Sequence, residues 1–390
     1  MSEKRFLNVH PDVVKLGFVS FLTDISSEAV FSVFSIFFTV IIGASASLLG
    51  IVEGISDFSA SSLDYFAGYL SDKSGKRKKL AIFGYGFSAI AKMMLLIGSS
   101  VVSLATFRII ERIGKSFRGP PRDAWLSEVA EEANRGYAFG LHKAMDKAGA
   151  ILGPVIAYFL LLFLGQTRGA FNIIFIIAII AAALAVLVLA LMKDRPGIPH
   201  ERENIFKAWG VLNSKFKLFL IPAGIFSLAY FSFGFLLLRA YAIGFPVRDV
   251  VLLYALFNVS FVLLSVPVGK LGDLIGRKYI VVLGYILYII MSLGFIFATE
   301  KWQVIILFIL FGIFYSIDEA QSKAFIADIE KERRATAIGA YNFVMGLVYL
   351  LASVIAGALW VINPIYAFIF AAIIAFTAMC VFLFLFSLKK

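Results

Sequence analysis

A single cysteine, Cys380, stands in 390 residues, so neither an intrachain disulfide nor a thiolate metal cluster can form. The three histidines, His10, His142 and His200, are too scattered to mark a metal site, and neither a metal nor another cofactor is expected. Charge is scarce: 16% of the residues, against about 25% in ordinary soluble domains. No G-x4-G-K-[ST] phosphate loop occurs, so the chain supplies no ATP hydrolysis of its own. A constellation of nucleophile, base and electrophile is missing too, which argues against an enzyme. Acids are outnumbered, 25 to 36, and the resulting net charge of +11 suits orientation across a bilayer better than nucleic acid, which is not an expected partner. With Glu3 near the start, Asp24 inside the first apolar run and no Ala-x-Ala-like site, no cleavable leader is expected.

Apolar runs fill the space those absences leave. Hydrophobic residues make up 61% of the chain, with 41 Phe and 31 Gly, and the mean hydropathy is +0.92. Bulky side chains facing acyl tails and small ones at helix contacts give such a mixture. A helix needs about 20 apolar residues to cross a hydrocarbon core of about 30 Å. Twelve runs qualify, near 14–42, 47–70, 79–99, 102–121, 137–164, 171–192, 217–243, 250–268, 279–298, 303–321, 336–361 and 364–387. Basic residues crowd alternate connections: Lys73, Lys76, Arg77, Lys78 and Lys79 after the second run, then Arg118, Arg122 and Arg135 around the end of the fourth. Gly43–Ser47 and Gly98–Ser103 carry none. The positive-inside rule then predicts both termini on the cytoplasmic side, with Lys389 and Lys390 in agreement. A polar stretch with Pro196, Pro199, Glu201 and Glu203 divides the chain into residues 1–192, a cytoplasmic linker 193–216, and residues 217–390, six spans on each side.

The halves echo each other. Gly68, Asp72 and Gly75, followed by Lys76 and Arg77, in GYLSDKSGKR match Gly269, Asp273 and Gly276, followed by Arg277 and Lys278, in GKLGDLIGRK through the pattern G-x-x-x-D-x-x-G-[KR]-[KR]. Ala124–Val129 matches Ala324–Ile329 in residue type further on. Duplicated halves argue for two bundles that expose a midplane site alternately to each side. With this loop in both copies, the sequence resembles the major facilitator superfamily (MFS) over essentially its whole length. That resemblance implies an all-α membrane protein of the MFS fold, twelve transmembrane helices in two pseudo-symmetric six-helix bundles, monomeric and placed in a bacterial inner membrane. It also implies that Asp72 latches the cytoplasmic gate and that Arg77 pairs with an acid near the fourth span, Asp123 or Glu128. The fifth span contains Gly140, Gly149, Gly153 and Pro154, spaced G-x8-G-x3-G-P, which resembles the signature of proton-coupled antiporters of the superfamily. Ala157 and Tyr158 replace its trailing glycines, and close helix packing with a proline bend explains the same residues.

Ionisable residues at membrane depth cost roughly 2.5–3.5 kcal/mol each on insertion scales unless paired or hydrated, so they are functional candidates. Asp24 and Glu28 share one face of the first span, and Glu53 and Asp57 one face of the second. These four and Asp146 are the proton-coupling candidates. Lys92, Arg108, Arg112, His142 and Lys147 are candidates for contacting the substrate, arginine being suited to bidentate carboxylate recognition. Arg239 is the corresponding candidate of the second half, otherwise expected to supply an apolar wall around Asp318 and Glu319. The runs DISSE at Asp24–Glu28, ERIGK at Glu111–Lys115 and PRDA at Pro121–Ala124 resemble a bacterial branch of the superfamily that includes siderophore transporters. The expected function is proton-coupled transport of a small anionic or zwitterionic solute, such as a siderophore. Alternatives are a multidrug proton antiporter, favoured by the aromatics and the fifth-span glycines, and a sensor on the same scaffold that binds without flux.

Overall fold

The computed structural model describes residues 9–97, 100–131, 134–194, 197–199, 209–330 and 334–386, and side chains in all of these except positions 211, 273, 320–324, 327, 334 and 335. Its helices are α1 (Pro11–Ile36, continuing as a π turn over Phe37–Ile41), α2 (Ala46–Ser74), α3 (Arg77–Ile97), α4 (Val101–Val129), α5 (Arg135–Leu164) and α6 (Arg168–Leu191). The second half holds α7 (Ser214–Ala229), α8 (Gly234–Ala242), α9 (Val247–Ile275), α10 (Arg277–Phe297), α11 (Lys301–Ile329), α12 (Arg334–Ile362) and α13 (Pro364–Leu385). Helix starts follow local chemistry. Pro11 and Pro364 occupy first-turn positions, where a missing N–H costs nothing. Ser100, Thr167 and Asn363 accept hydrogen bonds from the first free backbone N–H groups of α4, α6 and α13 at 3.1, 3.3 and 2.9 Å.

Twelve spans result, because α7 and α8 together form one run over Ser214–Ala242. The continuous seventh span expected from sequence is broken between Ala229 and Gly234. Lipid satisfies no orphaned backbone group, so side chains must, and here serines do. Ser232 N donates to Ser353 Oγ at 3.2 Å, and Gly234 N donates to Ser232 Oγ at 3.2 Å. Ten spans are apolar enough to be recognised by hydropathy alone. The two that are not, α2 and α4, carry Glu53, Asp57 and Asp64 and then Arg108, Glu111, Arg112 and Lys115.

Pseudo-symmetry extends to lengths and packing. Helices α2, α3 and α4 have 29, 21 and 29 residues, and α9, α10 and α11 repeat those lengths. The α3 and α4 helices start at 77 and 101, and α10 and α11 at 277 and 301. Packing repeats as well: α1 on α5 and α6, α3 on α4 and α6 in one half; α7 on α12 and α13, α10 on α11 and α13 in the other.

By contacts the chain forms two compact units. The first comprises Met1–Ile42, Ser59–Arg202 and Val247–Ala255, the second Gly43–Phe58, Glu203–Pro246 and Leu256–Lys390. In the first, Val13, Leu16, Val19, Tyr85, Trp125 and Leu189 build a core shared by α1, α3, α4 and α6. In the second, the start of α2 lies on α12, where Gly50 leaves no room for a Cβ beside Ser353 O.

Candidate functional site: an ion network among α1, α3, α4 and α5

Glu111 is the hub. Position 111 lies a turn beyond Arg108 on α4, so both side chains leave the same face, and Glu111 Oε2 stands 3.7 Å from Arg108 Nη1. Its other oxygen, Oε1, is 3.9 Å from Lys92 Nζ of α3 and accepts a hydrogen bond from Ser27 of α1 at 3.2 Å. Lys92 in turn donates to Ser27 Oγ at 3.3 Å. Lys92 and Glu111 are both buried, with side-chain exposures of 1% and 5%. Pairing is what makes such burial tolerable, since one unpartnered charge there would cost several kcal/mol. Close helix approach makes it geometrically possible: at Gly84 of α3 an added Cβ would stand 2.7 Å from Gly114 O of α4.

Aromatic rings extend this network toward Glu28. The Arg108 guanidinium lies 4.5 Å from the Phe31 centroid and 5.6 Å from that of Phe34, and Arg112 lies 5.7 Å from Phe31. Such cation–π contacts are worth about 0.5–2 kcal/mol depending on desolvation. Phe31 packs against Tyr254 at 5.4 Å, and the Tyr254 hydroxyl donates to a Glu28 carboxylate oxygen.

Among α1, α4 and α5 a second cluster forms on Arg122. Its Nη1 donates to Ser20 Oγ at 3.1 Å and lies 3.9 Å from Asp146, while Nε donates to Asp123 at 2.9 Å. His142 Nε2 completes the arrangement 3.0 Å from Ser20 Oγ. Asp24 falls between the clusters, partly exposed and within electrostatic reach of Asp146, Glu28, Lys115 and Lys147. A carboxylate between other acids and several cations can exchange a proton or an ion partner.

Of the residues singled out from sequence, the structure brings Asp24, Glu28, Lys92, Arg108, Arg112, His142, Asp146 and Lys147 into the first unit. Glu53, fully buried, and Asp57 belong to the second unit. Arg239 belongs there too, at the far end of α10, where it donates to the carbonyl oxygens of Phe295 and Ala298 at 3.2 and 3.4 Å. Gly149 and Gly153 press α5 onto the α1 backbone at Phe21 and Ile25, whereas Gly140 faces open space.

The duplicated loop forms an ion pair in each half. Arg77 pairs with Glu128 and donates to Ala124 O at 2.8 Å, and Arg277 Nε lies 2.7 Å from Asp328. Sequence alignment places Arg77 opposite Lys278. The structural equivalent is Arg277, because two residues separate α2 from α3 and one separates α9 from α10. Gly75 and Gly276 supply the turns, with φ of +63° and +96° that residues bearing a Cβ rarely adopt. Asp72 is buried, and the Asp273 side chain lies outside the described residues, as does His200.

Ser20, Ser27, Glu111 and Tyr254 were the members hardest to find from sequence. The hydroxyls carry no signal in a serine-rich helix, and Tyr254 lies 226 positions from its partner.

A family model described as Major Facilitator Superfamily matches residues 16–248 and 223–390. The chain belongs to that superfamily. It is similar to "Uncharacterized MFS-type transporter MJ1317" of Methanocaldococcus jannaschii, 37% identical over 387 residues that cover 96% of this chain and 94% of that protein. A shorter likeness, 28% over 158 residues, links 40% of the chain to 37% of "Multidrug resistance protein MdtH" of Photorhabdus laumondii. Among solved structures, a mutant form of the nucleoside transporter NupG superposes with a TM-score of 0.81, covering 96% of this chain and all of that one. At 14% identity that likeness shows the fold alone. This MFS chain is a multi-pass membrane transporter of twelve helices in two pseudo-symmetric bundles.

Proposed function

We propose that this transporter is a proton-coupled secondary carrier of a small anionic or zwitterionic solute, such as a siderophore, working by alternating access. The observation that carries the reading is the ion network of the first unit. There Lys92, Arg108, Arg112, Lys115, Arg118, Arg122 and Lys147 outnumber Asp24, Glu28, Glu111, Asp123 and Asp146, inside helices that lipid surrounds. Lys92 and Arg108 neutralise Glu111. The excess of cations favours an anion, and the acids among them, Asp24 above all, carry the proton. Residues 1–192 and 217–390 form the two bundles around a cytoplasmic linker 193–216, in a monomer seated in the inner membrane with both termini cytoplasmic. Asp72, Arg77 and Glu128 latch the cytoplasmic gate.

Reconstitution tests this reading. Vesicles carrying the protein should accumulate a citrate-type siderophore or another polycarboxylate when a pH gradient is imposed. Asp24→Asn, Glu28→Gln or Asp57→Asn should abolish accumulation while at least one of them spares solute counterflow. Accumulation unchanged in all three variants removes the coupling assignment. Efflux of amphipathic cations is the second reading, supported by the partial likeness to a multidrug resistance protein and by the aromatic interior of the second unit. Cationic dyes moving outward in exchange for protons, with carboxylates ignored, would establish it.

A further inference from the structure

The repeat carries a charge reversal at one internal position. Because α3 and α10 start at 77 and 277, and α4 and α11 at 101 and 301, positions 84, 85 and 118 of the first half correspond to 284, 285 and 318 of the second. Both halves have glycine at the first position and tyrosine at the second. At the third, Arg118 in one half is Asp318 in the other.

In the first half the Arg118 guanidinium lies 5.2 Å from the Tyr85 ring centroid, and the Cβ of a residue at 84 would stand 2.6 Å from Arg118 N. The site is filled by the protein's own cation. In the second half Tyr285, Gly284, Phe226, Phe314 and Asp318 surround a cleft that leaves space for about one water molecule. Its walls are rings in contact, Phe226 and Tyr285 at 4.6 Å and Phe226 and Phe314 at 5.8 Å. Tyr230, Tyr285, Tyr288 and Tyr349 lie within electrostatic reach of Asp318.

Backbone polarity points the same way. Phe226 stands in the last turn of α7, which ends at Ala229, so the C-terminal end of that helix lies beside the cleft. The Tyr288 hydroxyl holds this end by donating to Ala229 O at 2.7 Å. A carboxylate, aromatic ring faces and a helix C-terminus each attract positive charge. Position 118 carries a guanidinium and position 318 a carboxylate.

We infer that the cleft at Gly284, Tyr285 and Asp318 binds the primary ammonium group of the transported solute, which takes the place that Arg118 fills in the other half. Size selects the class: a primary ammonium is comparable to a water molecule, whereas a quaternary ammonium is larger than the space available. The inference rests on the reading of the chain as a carrier of small solutes and narrows its cargo from anionic or zwitterionic to zwitterionic.

Calorimetric titration of the full chain in nanodiscs, at fixed ionic strength and without a pH gradient, tests it with methylammonium, tetramethylammonium and sodium chlorides. Methylammonium should bind saturably, and Asp318→Asn should weaken it about tenfold or more, the loss expected for a hydrogen bond to a charged group. Gly284→Ala keeps every charge but puts a methyl group into the cleft, 3.1 Å from Ile317 Cγ2, and should weaken methylammonium as well. That variant carries the test if Asp318→Asn does not fold. Methylammonium binding unchanged in the folded variants, tetramethylammonium or sodium binding as tightly as methylammonium, or no saturable binding at all overturns the inference. Because no gradient is used, loss of proton-driven uptake with intact methylammonium binding would remove the proposed coupling and leave the subsite standing.

Discussion

Lys92 and Glu111 show how a single residue is constrained by its neighbour. Each is tolerable in the interior because the other is there, with Ser27 and Arg108 completing the hydrogen-bonding and charge requirements. Removing one partner strands the other. Glu111→Gln should therefore destabilise the protein by about 3–5 kcal/mol, while the double variant Glu111→Gln with Lys92→Met should recover a large part of that loss. Thermal unfolding in nanodiscs reads both numbers, and a double variant no more stable than the single one would show that the two charges are not coupled. At this scale the sequence listed ionisable residues at membrane depth but not their pairing. Lys92, Glu111 and Ser27 belong to three helices, and nothing in a linear chain says which of seven interior cations faces which carboxylate.

Helix contacts depend on where small residues meet another backbone. Gly149 and Gly153 of α5 lie against α1, where a Cβ at 153 would stand 2.6 Å from Ile25 O. Backbone cannot yield as a side-chain tip can, so Gly153→Leu should cost more than the roughly 1–3 kcal/mol typical of overpacking, together with the register of α5 on α1. Gly140→Ala, with nothing within 4 Å, should be neutral or gain up to about 1 kcal/mol of helix propensity. Thermal stability and monodispersity of the two variants separate close packing from a role in transport alone for this motif. Spacing alone showed that the three glycines share a helix but left open which of them touches a neighbour. The break between α7 and α8 was hidden for a related reason. Its sequence, Tyr230–Phe233, is as apolar and aromatic as its surroundings, and the Ser353 hydroxyl that satisfies the freed backbone lies more than a hundred residues away.

Across the whole molecule the two loop ion pairs are equivalent by topology but not by environment. Arg77 has 7% side-chain exposure and Glu128 35%, while Arg277 and Asp328 have 30% and 58%. Exposed pairs are worth about 0–1 kcal/mol and are screened by salt. Glu128→Gln should slow transport markedly with insertion unchanged, Asp328→Asn should alter it little, and initial uptake rates beside the amount of inserted protein read both effects. Equal losses would mean that the second pair matters as much as the first. The sequence by itself determined the lipid environment, the twelve helices, their duplication and the superfamily, because hydropathy, periodicity and a repeated loop are local properties written along the chain. Only the tertiary structure decided that Glu111 is the hub of the ion network, that Arg77 corresponds to Arg277, and that Asp318 stands where the other half has Arg118. Those facts arise from which helix faces touch, and in lipid that is chosen by packing and charge pairing between residues far apart in sequence.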